Sequence, residues 1–540
     1  MLLLLLPICL FILYPVVRLI QASLTSDGQL SLHHYRSILP AGFRLLKNSV
    51  GSSALSAVLS TILAAAVSLH IASVRPWLRR VFMAILLLTM VSPPFVNSLS
   101  YILLYGRRGW ITHGLLGLSI SPYNAWGVVL MQTLSFASLN ALLLVGMLDK
   151  VDKHLPQTAR DLGASGARSF VNIVLPLIRP GIVACLLISF IRGLADFGTP
   201  IVVGGRFNTI AAEIYMQITG YASLSKAAAL NTLVFLPSLV LFEVYRRMMR
   251  QSDTLLGASG AASKLENGIE LTGPPRFLAH AVSLFFFVVM LLQYGCVFAG
   301  GFVKSIRGQY FFTWEHLARI TANEAGALSR SVVYALIVGV AGAVFSLIFA
   351  YYVQRKGMPG GGIWDFIATM PMMIPGTCFG IGYILAFAHP PLKLTGTAAI
   401  VVLNMMFRQL PSSIRVCAAA VSQIPYALEE AARDLGAGRF KVIIHIILPN
   451  LRHAFFTCFV YNFTSAMTTA GAVLFLIQPG QKIAVFRLFD AINMGEYGVA
   501  SLIATIIILI SLAVNLLLMW LTGNGKKGGP GFVFTTGQSS

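Results

Sequence analysis

An all-α integral membrane protein, with about twelve transmembrane helices in two parallel six-helix repeats, is the fold class this sequence predicts. Three observations predict it. Of 540 residues, 57% are hydrophobic and only 11% charged, where a soluble domain carries about 25% charged residues. The apolar residues fall in blocks of roughly 20 or more, the length a helix needs to cross a bilayer. The two halves of the chain also repeat each other's motifs at a fixed offset. A closed β-barrel would instead alternate apolar and polar residues over short segments, and only helices and closed barrels satisfy their backbone in lipid.

Hydropathy places spans 1 to 6 near 1–22, 49–73, 81–104, 124–148, 181–203 and 226–248. Spans 7 to 12 lie near 277–303, 330–353, 364–388, 395–418, 454–477 and 498–521. This divides the chain into a first half, 1–248, a cytoplasmic linker, 249–276, a second half, 277–522, and a cytoplasmic tail, 523–540. The linker is marked by Gly257, Gly260, Gly268, Gly273, Pro274 and Pro275, a composition that punctuates regular structure. The chain enters an apolar run directly after Met1. With no charged n-region and no A-x-A site, that start does not read as a cleaved signal peptide, and it fits a shortened start.

The repeat is carried by motifs in register. Ala159-Arg160-Asp161-Leu162-Gly163-Ala164 recurs as Ala432-Arg433-Asp434-Leu435-Gly436-Ala437, an offset of 273, and Leu175-Pro176 recurs as Leu448-Pro449 at the same offset. Thr89-Met90 and Pro94 echo Thr369-Met370 and Pro375, and Tyr101-Ile102-Leu103 echoes Tyr383-Ile384-Leu385. Six spans per repeat give both halves one orientation. The segments after the even-numbered spans hold the larger share of Lys and Arg, among them Arg79, Arg80, Lys153, Arg168, Arg355, Lys356, Arg439 and Lys441. By the positive-inside bias, these segments and both termini are cytoplasmic. The net charge of +21 therefore reads as loops meeting anionic headgroups, not as nucleic-acid binding.

Several chemistries find no support. All six cysteines fall in apolar segments without a C-x-x-C pair, and the ten histidines have no zinc-like spacing. No metal site, catalytic residue or cofactor is expected. No G-x-x-x-x-G-K-[ST] loop occurs, Gly525-Lys526 lacking the residues that would precede it.

The loop between spans 10 and 11 is built as a helix. Pro425 suits a helix start, Glu429 and Glu430 sit where the dipole favours anions, and Ala427, Ala431 and Leu435 form one apolar stripe. Gly436 can take the left-handed conformation that ends a helix, and a second amphipathic stretch runs to Leu448-Pro449. Such a helix can dock in a groove of a soluble partner or rest on headgroups.

Glu430-Ala431-Ala432, Gly436, Ile446, Leu448 and Pro449 resemble the EAA motif of binding-protein-dependent ABC importer permeases. The first half fits more loosely: Gly163, Ile173, Leu175 and Pro176 match, but Gln157-Thr158-Ala159 stands where Glu-Ala-Ala is expected. The resemblance covers nearly the whole chain and implies a type I ABC importer permease fold in the bacterial inner (cytoplasmic) membrane. It implies two ABC ATPase subunits as partners, one seated on each loop, and an extracytoplasmic substrate-binding protein. The coupling residues it implies are Gln157, Ala159, Asp161 and Gly163 in the first loop, and Glu430, Ala431, Ala432, Asp434 and Gly436 in the second. The absent Glu suggests that the two seats are not equivalent.

Ionisable residues within spans are functional hypotheses by default. Arg192 and Asp196 in span 5 are four apart and can pair on one helix face, with Gly198 and Pro200 able to break the helix beyond them. Ser465 and Thr469 stand at the corresponding positions of span 11, beside Thr468. These five residues are the expected translocation path; the alternative is that the charged pair is a clip and the hydroxyls bond backbone carbonyls. Pro93-Pro94 and Pro371 with Pro375 can kink spans 3 and 9. The outward loops near 23–47 and 304–329 share a pattern, His34 matching His316 at an offset of 282.

Asp196-Phe197-Gly198-Thr199-Pro200, Gly204-Gly205, Ala212-Glu213-Ile214-Tyr215 and Thr468-Thr469-Ala470-Gly471-Ala472 are most similar to the ferric-iron branch of these fused permeases. Relatives for 2-aminoethylphosphonate, sugar phosphates, polyamines and thiamine stay open, as does a secondary transporter, which can also have twelve spans in parallel halves.

Overall fold

The computed structural model describes residues 2–26, 29–118, 121–149, 151, 154–257, 274–306, 309–478 and 480–521. Most of the expected linker and the whole expected tail lie outside them. Helices occupy all twelve expected positions. Eight are long and apolar enough to cross a membrane singly, and up to eleven are if each sharply bent pair counts as one span. The remaining position, span 10, is the helix Ala398–Ser422, which carries Asn404, Arg408, Gln409 and Arg415. The described ends of the linker are helical: span 6 runs Leu224–Gly257 and span 7 begins at Pro274.

The proline signals become breaks. Span 3 is the pair Pro76–Val91 and Val96–Leu115, bent by 105°, and span 9 is the pair Gly361–Met373 and Gly376–Phe387, bent by 112°. Pro93-Pro94 and Pro375 stand at these joints, where a missing N–H and a fixed φ interrupt the helical ladder. Span 11 bends by 60° just before Arg452.

The described residues form two compact units. One holds span 1, spans 8 to 11 and span 12 from Ile507 onward; the other holds spans 2 to 7 and span 12 up to Ile506. The first helix of each half thus packs with the other half's spans. In the first unit, the Tyr383 hydroxyl donates to the Phe11 carbonyl at 2.7 Å. Phe11 packs against Phe387 and Phe407, with ring centroids 5.6 and 5.0 Å away. A side chain at Gly382 would meet the Pro15 carbonyl at 2.7 Å, so glycine here permits close approach of the two backbones. In the other unit span 7 packs through Phe287, stacked on Phe82 at 4.4 Å, and His280, at 4.5 Å from His70.

Spans 2, 4 and 5 pack on one another in one unit, and spans 8, 10 and 11 do so in the other. Their polar contacts repeat. Asn140 Nδ2 donates to Ser189 Oγ at 2.8 Å, and at an offset of 273 Ser413 Oγ donates to Asn462 Oδ1 at 2.6 Å. The Cys185 and Cys458 thiols, also 273 apart, donate to the Asn140 and Ser413 carbonyls. Ser49 Oγ accepts from the Ile210 N–H and Ser331 Oγ from the Ala484 N–H. Asn and Ser have exchanged places across the interface while the buried hydrogen bond is kept, as a polar contact in an apolar interior requires.

Candidate functional site

The second loop is assembled around a carboxylate that the motif does not single out. Its helix, Tyr426–Asp434, starts after Pro425 and is followed by Gly436 at φ +80°. Glu429 turns inward. Its carboxylate accepts from Arg355 Nε at 2.8 Å and Lys356 Nζ at 3.2 Å, and Arg433 one turn on lies at 3.5 Å. The Arg355 and Glu429 side chains are 2% and 4% exposed, so both charges are desolvated and depend on each other. Arg355 also donates to the Ile424 carbonyl at 2.5 Å and lies 3.6 Å over the Tyr426 ring, a cation–π contact. Burial pushes the Glu429 carboxyl up, but the bonds from Arg355 and Lys356 outweigh it and hold it below the usual glutamate value. Ala432 packs on the apolar cluster containing Tyr351, Val421, Val442 and Ile447.

The other expected coupling residues of this loop stay on its outer surface: Glu430, Ala431, Asp434 and Gly436 are exposed. Leu435 is 89% exposed. The apolar stripe read from sequence therefore points away from the chain's own core. At Gly436 a side chain would meet nothing within 4 Å, so glycine serves the left-handed backbone rather than a tight fit within the chain.

The first loop repeats the outer surface without the anchor. Its helix is His154–Asp161, and Gly163 has φ +86°. Ala159 is half-buried; Asp161 and Gly163 are exposed. The Gln157 backbone is helical, and its side chain lies outside the described residues. Leu162, the counterpart of Leu435, is 83% exposed. By offset, Glu429 corresponds to Pro156 and, on span 2, Arg355 to Ser73, so the equivalent positions of the first loop cannot form this ion pair. A different pair stands near the first: Arg79 Nη2 contacts Asp149 at 2.6 Å, half-exposed.

The expected path residues are placed as follows. The span 5 helix ends at Ala195, earlier than the expected 203, and Asp196 has extended backbone, φ −79° and ψ 109°. Asp196 has thus left the helical path on which a four-residue pairing with Arg192 was expected. Its carboxylate accepts instead from Gln132 Nε2 at 3.0 Å and from the Thr199 N–H at 3.1 Å. Gln132 in turn accepts from Ser56 at 3.1 Å, giving a chain through spans 2, 4 and 5. Arg192 is exposed. Span 11 likewise ends at Thr468, short of the expected 477. The Thr468 hydroxyl donates to the Thr464 carbonyl and that of Thr469 to the Ser465 carbonyl, at 2.9 and 2.5 Å, the backbone-bonding alternative. Gln409 Nε2 reaches Thr469 Oγ1 at 3.4 Å.

Reading from sequence passed over Gln132, Arg355, Glu429 and the Asn140–Ser189 and Ser413–Asn462 contacts as site residues. The 273-residue offset already pairs Asn140 with Ser413 and Ser189 with Asn462, a signal that could have found those four. Among the described residues no group of three or more His, Cys, Asp or Glu is placed to hold a metal ion.

Two helical repeats, broken spans and paired loops define a membrane permease of the ABC type. Residues 56–251 and 342–524 match the family described as "binding-protein-dependent transport system inner membrane component", and the chain belongs to that family. It is 31% identical to the ferric transport system permease protein FbpB of Actinobacillus pleuropneumoniae, over 96% of this chain and 77% of that protein. It is 30% identical to the putative ferric transport system permease protein FbpB 1 of Haemophilus influenzae, over 89% and 77%. It is also 25% identical to the sulfate transport system permease protein CysT of Escherichia coli, over 38% of this chain and 79% of that protein.

Proposed function

We propose that this chain is the transmembrane subunit of an ATP-driven ferric-iron importer, coupling separate ATPase subunits to alternating access. The observation that carries the coupling role is the pair of exposed leucines, Leu162 and Leu435, each beside a glycine in the left-handed region. A bare Leu on a polar loop is costly to leave in water, and its full burial is worth about 2 kcal/mol. Two such knobs, one per repeat, suit a partner of matching two-fold symmetry. The anchored second loop is the rigid seat and the first the more compliant one. Closure of an ATPase dimer would then be passed to spans 8 and 11 through Arg355–Glu429 and through the helix before Arg452.

Ferric iron rests on what the two relatives that match most of this chain are named for. This reading puts both termini and both loops in the cytoplasm, which the charge bias supports. The division into a first half, 1–248, and a second, 277–522, belongs to this reading. So do a path along Asp196, Arg192, Ser465, Thr468 and Thr469, and delivery of substrate by an extracytoplasmic binding protein. A second reading, oxyanion import, is favoured by the sulfate permease relative.

The test is uptake of radioactive ferric iron into proteoliposomes holding this chain together with a candidate ABC ATPase and a candidate binding protein from the same organism. ATP-dependent iron uptake is expected. Sulfate uptake without iron uptake would replace the substrate, and uptake of either with no ATPase present would overturn the mechanism.

A further inference from the structure

The unit of spans 2 to 7 contains a cavity of about 1220 Å3 whose lining includes Arg44, Arg107, Arg206, Tyr123, Asn493 and Tyr497. No Asp or Glu is among its lining residues, and among the described residues none of the three arginines has an ion-pair partner. The cavity touches Asn124 and Ala125, at the start of the helix Ala125–Leu148. The first coupling loop follows the other end of that helix, about 36 Å away at 1.5 Å per residue. If the loop faces the cytoplasm, the cavity faces outward.

All three arginines are exposed; Arg44 stands on the span 2 helix, and Arg107 and Arg206 each follow a glycine turn. Arg107 follows Gly106, where a side chain would meet the Ile102 carbonyl at 2.3 Å. Arg206 follows Gly204-Gly205; Gly205 has φ +60°, and a side chain there would meet the Tyr123 carbonyl at 2.6 Å. The second repeat supplies an internal control. Its equivalents, at the local offsets of 282, 282 and 274 set by Ser49–Ser331, Tyr101–Tyr383 and Ile210–Ala484, are Gly326, His389 and Gly480. None of the three positions carries an arginine in the second repeat, so the cluster belongs to the first repeat's sequence. Guanidinium forks match oxyanions in shape and charge, and a cavity of one sign concentrates the opposite ion.

We propose that this cavity is an anion-receiving vestibule: the solute enters as a small oxyanion or as a ferric ion carrying anionic oxygen ligands, not as a bare cation. This rests on the importer reading and narrows its substrate to the anionic form. It also gives a physical reason for one scaffold to serve relatives named for ferric and for sulfate transport.

The test is equilibrium binding of radiolabelled inorganic phosphate, sulfate and ferric citrate to the full-length permease in nanodiscs of neutral phosphatidylcholine. Wild type is compared with Arg44→Gln, Arg107→Gln, Arg206→Gln and the triple variant. Expected is saturable binding of at least one probe, weakened at least tenfold in the triple variant and suppressed by high salt. Equal binding in wild type and triple variant, or none in wild type, overturns the proposal. A difference that appears only in discs containing phosphatidylglycerol assigns the arginines to lipid headgroups and also overturns it. In the reconstituted complex, the triple variant should raise KM for uptake with binding-protein-stimulated ATP hydrolysis unchanged; loss of that stimulation would make the arginines a docking face for the binding protein. Because the nanodisc assay needs neither ATPase nor iron, failure of ferric uptake alone leaves its result standing.

Discussion

Replacing Glu429 with Ala removes the carboxylate that neutralises Arg355 and leaves a guanidinium whose side chain is 2% exposed without its counter-charge. Breaking a buried ion pair from one side costs about 3–5 kcal/mol. Arg355 keeps its bond to the Ile424 carbonyl, and the Lys356 and Arg433 contacts are solvent-exposed on the cation side, where such pairs contribute little. The lower figure, about 3 kcal/mol, therefore applies. At about 1.4 kcal/mol per factor of ten, the loop should open roughly 100-fold more often. Hydrogen exchange of the amides in Tyr426–Asp434, on the permease in nanodiscs, reads this directly. Glu430→Ala is the paired control: Glu430 is exposed, so exchange should stay at the wild-type rate while ATPase docking weakens. If Glu429→Ala leaves loop exchange within threefold of wild type, the anchoring argument is wrong.

The same pair gives a pH dependence. The folded carboxyl of Glu429 is held below its ordinary value of 4.5, so the unfolded loop binds the proton first and stability rises with pH through that window. Loop protection should be constant from neutral pH down to about 5 and fall as pH drops below 4.5 toward the folded value; protection that rises on acidification would refute the sign. Gly436→Ala should cost about 1 kcal/mol for the left-handed backbone and Gly436→Asn less, while Gly436→Asp should leave the chain in the membrane and abolish transport; normal uptake in the Asp variant would remove Gly436 from the coupling surface. Asp196→Asn weakens the charge-assisted bonds from Gln132 and Thr199, worth about 1.5–3 kcal/mol to a charged group. It should lower the thermal midpoint and slow uptake; unchanged uptake with a lowered midpoint would make Asp196 a clip and not part of the path.

Hydropathy placed a helix at each of the twelve expected spans because lipid leaves the backbone no alternative, but it did not mark the helices Ile210–Thr219 and Ala484–Asn493, which lie outside those spans. It marked Pro93-Pro94 and Pro375 as weak points but not the bends of 105° and 112°, since a missing hydrogen bond says where a helix yields and not by how much. The ends of spans 5 and 11 were read as continuous because apolar residues continue past Asp196 and Thr469, where the helix breaks; in span 5 a short helix, Gly198–Val203, follows the break. The choice between Glu429 and Glu430 was not legible. They are neighbours of one type about 100° apart on the helix, and what decides between them is Arg355, 74 residues away. The stripe ending at Leu435 was legible as a stripe, and its direction was not. The exchange of first helices between halves was not legible, because an apolar span does not state in its composition which other span it packs against.

The most direct test of the central claim, that a separate ATPase drives this permease through its two loops, is co-purification of that ATPase with membrane-inserted Leu162→Asp, Leu435→Asp and double variants, with ferric uptake measured in parallel. Burying a carboxylate in an apolar groove is strongly unfavourable. The account predicts a large loss for Leu435→Asp, a smaller loss for Leu162→Asp, and neither ATPase nor uptake for the double variant. Full ATPase recovery and normal uptake in the double variant would contradict it.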